Sequence, residues 1–189
     1  MTAERRVRSD ATANRERIMR TAARLFRERG VDVPLDEVAA AAGLGSATLH
    51  RHFRGRVDLV HAVLDAEAAR VAAGAARLLS EHGPDQALRA WLADLVRFSL
   101  SYRGLAVLLA AHDADTTISA RHETLGRACR QLLAAAQAGG SVRTTIDAGT
   151  LLRLAHGTAI AAAGSAGMAS ELADVLMDGL LVRPGESRA

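Results

Sequence analysis

The chain contains no lysine: all 24 residues in its Lys and Arg count are arginine. Such uniformity is first a bias of the encoding genome, although the planar guanidinium fork also suits bidentate contact with phosphate and guanine. Cysteine occurs once, at Cys129, which excludes an internal disulfide and points to a reducing compartment. A lone thiol of this kind is expected as a small buried hydrophobe rather than a redox sensor. Aromatic residues make up only 3% of the chain, so Leu, Val and Ala must supply most of the packing, and Ala, Leu and Arg all favour helices. No long apolar run is present. The most apolar late stretch, Leu151 to Gly167, is interrupted by Arg153 and His156 and falls short of the ~18 residues that a membrane span needs. No apolar leader follows Met1. The expectation is a soluble, cytoplasmic protein with no membrane partner.

Catalytic signatures are missing too. There is no glycine-rich phosphate loop after a strand, no nucleophile elbow and no His-Glu-x-x-His zinc helix. His50 and His52 lie two apart on one segment and diverge if it is helical, and with His61 they lack a Cys or carboxylate to complete a metal site. His112-Asp113, Asp115 and His122-Glu123 read equally well as a solvated connection between helices. The expectation is therefore a protein that is not an enzyme, with no metal and no cofactor.

What is present is charge unevenly placed and helical periodicity almost throughout. Residues 1–61 carry 12 Arg against 8 Asp and Glu, a surplus of +4; residues 62–189 carry 12 against 13, giving −1 and the overall +3. Excess positive charge thus lies in the first third. Residues 1–11 hold Arg5, Arg6 and Arg8 without an apolar pattern and read as a flexible basic arm, either a solvated tail or a DNA contact. From Thr12, the residues Ile18, Ala22, Leu25 and Phe26 form one apolar helical stripe that Gly30 ends. Pro34 fits a first helical turn, Asp36 and Glu37 suit the positive end of the helix dipole, and Leu35, Val38 and Ala39 give a short apolar face ending at Gly43. A further helix follows at once, with Gly45 as its N-cap and Leu44 placed to staple against Leu49. Two short helices joined by a glycine turn make a helix-turn-helix.

The remainder reads as longer helices over 57–81, 84–102, 105–112, 117–138, 147–165 and 168–182, with Ser141–Ile146 as an extended connector. The expected fold class is all-α: a three-helix helix-turn-helix headpiece over 12–56, then a six-helix domain over 57–189.

If the second short helix starts at Ser46, Leu49 and Phe53 face inward while Ser46, Ala47, His50, Arg51 and Arg54 stand around the exposed side. Small and hydrogen-bonding residues there let a helix approach the edges of the bases in a major groove. The residues Leu35-Asp36-Glu37-Val38-Ala39, Ala42-Gly43-Leu44-Gly45, Thr48-Leu49-His50-Arg51-His52-Phe53, Arg56 and Leu59 resemble the TetR family headpiece, over roughly residues 12–62. The resemblance implies an all-α homodimer that usually represses transcription and leaves its DNA operator when a small molecule fills the carboxy-terminal domain. It implies Ser46, Ala47 and His50 as base readers, Thr48 and His52 as phosphate contacts, and Arg56 as the basic residue that holds a phosphate at the start of the next helix, while Arg51 on the exposed side is a further DNA-binding candidate. Two positions depart from the family pattern: His50 stands where tyrosine is usual, and Arg56 where lysine is usual. Arg for Lys keeps the charge and adds a fork; His for Tyr keeps a planar polar group and adds a possible positive charge.

The segments Ala87-Leu88-Arg89-Ala90-Trp91-Leu92, Tyr102-Arg103-Gly104-Leu105 and Ala138-Gly139-Gly140-Ser141-Val142-Arg143 are similar to one group of TetR-family ligand domains. Trp91, Leu95, Phe98 and Tyr102 form one stripe, which is either ordinary core or the lining of a pocket for a small apolar effector. The small residues of Leu151–Gly167, with Leu172, Val175, Leu176 and Leu180, favour a homodimer through the two C-terminal helices. The competing reading is a helical ligand carrier, or a regulator that acts through a protein partner.

Overall fold

The alternation of apolar stripes and glycine breaks is realised as a chain of α-helices. The computed structural model describes residues 3–101, 116–162 and 164–182, with side chains described from Asp10 and again from Arg121. Its helices are α1 (Ala3–Arg29), α2 (Leu35–Ala41), α3 (Ser46–His52), α4 (Arg56–Glu81), α5 (Pro84–Ser101), α6 (Thr116–Ala138), α7 (Ala148–Ala161) and α8 (Ala166–Leu180). Among the described residues the only β-type pairing is one antiparallel bridge, Val142 with Leu181. No helix among them is long and apolar enough to cross a membrane. The expected helix over 105–112 lies outside the described residues, as do His112, Asp113 and Asp115.

Two compact units divide the chain, the boundary falling inside α4 between Ala66 and Glu67. In the first, α1, α2 and α3 pack against one another. The stripe of α1 is buried as its spacing demands: Ile18, Ala22, Leu25 and Phe26 are all enclosed, and Gly30 closes the helix at φ +84. The start of α1 differs from expectation. Its backbone is helical from Ala3, where the sequence suggested an arm without regular structure. A segment without an apolar stripe has nothing to bury, but Ala, Glu and Arg still propagate a helix that is already nucleated, and no breaker interrupts them. Pro34 is the N-cap of α2 rather than its first helical residue.

In the second unit α5 packs against α6, α7 and α8, and those three helices pair in sequence order. Trp91, Leu88, Leu92, Leu132, Leu151 and Met177 are the largest fully buried residues there. The indole Nε1–H of Trp91 donates to the Val71 carbonyl at 2.9 Å, so even the largest core side chain leaves no polar atom unpaired. Asp147 caps α7, accepting from the Thr150 amide at 2.8 Å and its hydroxyl at 3.0 Å, and the bond from the Thr150 amide holds its carboxyl below the usual range. Gln137 fixes the connector after α6 by donating to the carbonyls of Arg143 and Ile146 at 3.0 and 3.1 Å. Arg89 on α5 donates to Asp174 at 2.8 Å and to Asp178 at 2.5 Å, both on α8.

Cys129 is fully buried beside the Ala148 carbonyl, and desolvation pushes its thiol up to about 12. The thiolate is the reactive form, so the folded protein should resist disulfide-exchange reagents at pH 8. Labelling of Cys129 should follow global unfolding across a urea series; fast labelling under native conditions would mean that this core opens locally.

Candidate nucleic-acid interface

The geometry of α2 and α3 follows from one turn. Gly43 adopts φ +65, a left-handed conformation that costs other L-residues about 1–2 kcal/mol. The Gly43 amide donates to Ala40 O and the Leu44 amide to Ala39 O, each at 2.9 Å. These are the paired bonds of a Schellman ending, and they redirect the chain within two residues. Gly45, in extended conformation, is then the N-cap of α3, as the sequence indicated. Leu49 and Phe53 are buried at 0% and 1% exposure, which fixes the rotation of α3 about its axis. Ala47, His50, Arg51 and Arg54 are exposed, whereas Ser46, Thr48 and His52 are half-buried.

Several side chains of this surface are held in place. The Ser46 hydroxyl donates to Oδ1 of Asp36 on α2. Arg51 Nε donates to the Ala47 carbonyl one turn back, at 3.2 Å. The Arg15 guanidinium of α1 lies 4.5 Å from the centre of the Phe53 ring, a cation–π contact against the end of α3. Arg29 and Glu37 form a bidentate pair between α1 and α2, and hydrogen bonding between them raises the arginine and lowers the glutamate.

Arg56 is anchored from below. Its Nη1 donates to the carbonyl of Val31 and, at 2.7 Å, to that of Val33, tying the start of α4 to the turn between α1 and α2. Its Nε and Nη2 make no hydrogen bond among the described residues. Sequence reasoning missed this anchor, the Ser46–Asp36 bond and the Arg15–Phe53 contact, because each joins residues with no common period. The only signal was chemical: an arginine at a position where a single-pronged cation is usual.

Of the four residues placed on the effector stripe, Trp91 and Leu95 lie within the core and Phe98 lies at its margin, partly buried. Tyr102 is outside the described residues. Among the described residues no three His, Cys, Asp or Glu side chains stand together as metal ligands would.

Comparison with known proteins agrees with this geometry. Residues 18–63 match the model for bacterial regulatory proteins of the tetR family. Residues 83–182, more than half of the chain, match the model described as the transcriptional regulator SbtR-like C-terminal domain. The chain belongs to the TetR family. A TetR transcription regulatory protein from Mycobacterium vanbaalenii is 32% identical, with 93% of this chain and 99% of that one covered and a TM-score of 0.74. A TetR transcriptional regulator from Streptomyces coelicolor is 29% identical over 90% of this chain and 99% of its own, with a TM-score of 0.76. An HTH-type transcriptional regulator of Staphylococcus aureus is 41% identical over 59 residues, which is 31% of this chain. The match spans 32% of that curated relative's length. These relatives are all described as transcription regulators.

In this TetR-family headpiece Arg56 performs a structural task whatever else it touches. Arg56→Ala removes the donor shared by two carbonyls and should destabilise the headpiece by about 1–3 kcal/mol, whereas Arg56→Lys should retain part of that stability. Denaturant unfolding followed by circular dichroism measures both, and an unchanged midpoint for the alanine variant would mean that the anchor is not formed in solution.

Proposed function

We propose that the protein is a sequence-specific DNA-binding regulator, a homodimeric repressor released from a near-palindromic operator by a small, largely apolar effector. The observation that carries this reading is the exposed polar face of α3, held by Leu49 and Phe53 in a TetR-family headpiece whose sequence carries the surplus of arginine. Ser46, Ala47 and His50 read base edges, since the amino-terminal residues of a recognition helix reach them. Thr48, Arg51 and His52 contact the backbone. Arg56, with Nη1 anchored, offers its remaining N–H groups to a phosphate in the fixed fork of a guanidinium. A DNA target places the protein in the cytoplasm.

Dimerisation is assigned to α7 and α8. Leu154, Ile160, Met168 and Val175 are 43%, 52%, 45% and 68% exposed on these two helices, whereas Leu151 and Leu180 turn inward to the core. Large apolar side chains concentrated on one pair of helices fit a two-fold helical interface. Val175→Arg should leave the fold intact and convert the dimer to monomer in sedimentation at micromolar concentration. With it, high-affinity operator binding should fall, because two half-sites about one helical turn apart (~34–36 Å) require two joined headpieces.

Selection from random duplex DNA with the purified protein tests the central proposal. A symmetric enriched sequence is expected. Arg56→Ala should lower affinity for all duplexes alike and flatten the salt dependence by about one unit of slope, since a phosphate contact releases a counterion without reading sequence. No enrichment, or an asymmetric one, would refute the reading.

The effector is assigned to the second unit, beside Trp91, Leu95 and Phe98 of α5 and with Tyr102 of the sequence stripe. A ligand releases DNA only by favouring a dimer geometry that fits the operator less well, and the coupling must run in both directions. A ligand found by thermal-shift screening should therefore bind more weakly in the presence of operator, by a factor of about 5–150, and should alter the fluorescence of Trp91. Equal affinity with and without operator would refute the switch.

A further inference from the structure

The hydrogen bond from Ser46 to Asp36 gives this surface a polarity that neither side chain has alone. A serine hydroxyl has one hydrogen and two lone pairs, and a free one rotates to meet either a donor or an acceptor. For that reason serine by itself discriminates little among bases. Here the hydrogen is committed to Asp36 Oδ1, and an ionised carboxylate accepts only. Neither side chain makes another hydrogen bond among the described residues, so the pair offers lone pairs and one negative charge. In the major groove, the amino groups of adenine and cytosine are the donors, while guanine N7 and O6 and thymine O4 are acceptors. An acceptor placed against this pair would leave lone pairs facing one another in a dehydrated contact, which is costly.

We infer that Ser46 and Asp36 together form an acceptor-only reader, which selects an amino-bearing base, adenine or cytosine, at one position of each half-site. The inference rests on the reading of α3 as the recognition helix. Asp36 is then a specificity-determining residue although it lies on α2. It sets the direction of the Ser46 hydroxyl and adds a charge that repels carbonyl-bearing bases.

The test starts from the duplex enriched by the wild-type protein and deletes single amino groups, replacing each adenine by purine or each cytosine by pyrimidin-2-one. At one symmetric position the wild-type protein should lose about five- to tenfold in affinity, the lower end of what a base contact supplies. Ser46→Ala should lose nothing further from that same deletion. In a repeat selection, Asp36→Ala should admit guanine or thymine at that position and leave the rest of the motif unchanged. The inference is overturned if no amino deletion depends on Ser46, or if folded Asp36→Ala keeps the original preference. Should Asp36→Ala fail to fold, the deletion series with wild type and Ser46→Ala decides alone. If the wild-type protein enriches no symmetric motif, the recognition-helix reading fails and takes this inference with it. A symmetric motif without a Ser46-dependent amino contact refutes only the inference.

Discussion

Gly43 sets the direction in which α3 leaves α2, and the rest of the headpiece depends on that direction. Nothing lies within 4 Å of the place a Cβ would occupy, so the demand at this position is for a left-handed backbone and not for space. Once the turn is made, Leu49 and Phe53 are buried, and their burial holds the rotation of α3. Ser46 is carried to Asp36 by the same turn. A substitution that relaxed Gly43 would act on every one of these contacts together, although it would touch none of them.

The features legible in the sequence were those with a period or a punctuation mark. The stripe of Ile18, Ala22, Leu25 and Phe26, the glycine endings at Gly30 and Gly43, and the inward pair Leu49 and Phe53 are written at fixed spacings, and local geometry converts spacing into position. The beginning of α1 was not legible, because an absent apolar stripe says that a segment packs against nothing and leaves its backbone undetermined. Contacts between elements were hidden for another reason. Asp36 is one of several acidic residues near α2, and no periodicity says which polar group it will face. The surroundings of Trp91 were half legible: its stripe was evident, but commitment of the indole N–H to Val71 depends on how α4 lies across α5.

The exclusive use of arginine acquires a structural sense at two positions. Arg56 shares one nitrogen between two backbone carbonyls, and Arg89 sends one prong to Asp174 and the other to Asp178 a helical turn away. A compact ammonium forms neither arrangement with the same geometry. Among the described residues, several other arginines pair within their own helices, as Arg24 does with Glu28 and Arg77 with Glu81. Exposed pairs of that kind contribute roughly 0–1 kcal/mol, so the apolar core carries the stability and the charges decorate it. Arg89 differs because it joins the helix of the aromatic stripe to a helix of the exposed apolar face.

The Val142–Leu181 bridge bears on how α8 is held. Arg143 N donates to Leu180 O and Val182 N to Ser141 O, each at 3.0 Å, while Ser165 caps the other end by accepting from the Met168 amide at 3.3 Å. The helix is therefore tied down at both ends and has no loose terminal turn to unwind. Any rearrangement of the surface it presents must carry the whole rod, by rotation or translation, together with the connector that holds its carboxyl end. Its two ends resist fraying, so a shift of the connector acts on α8 as a whole.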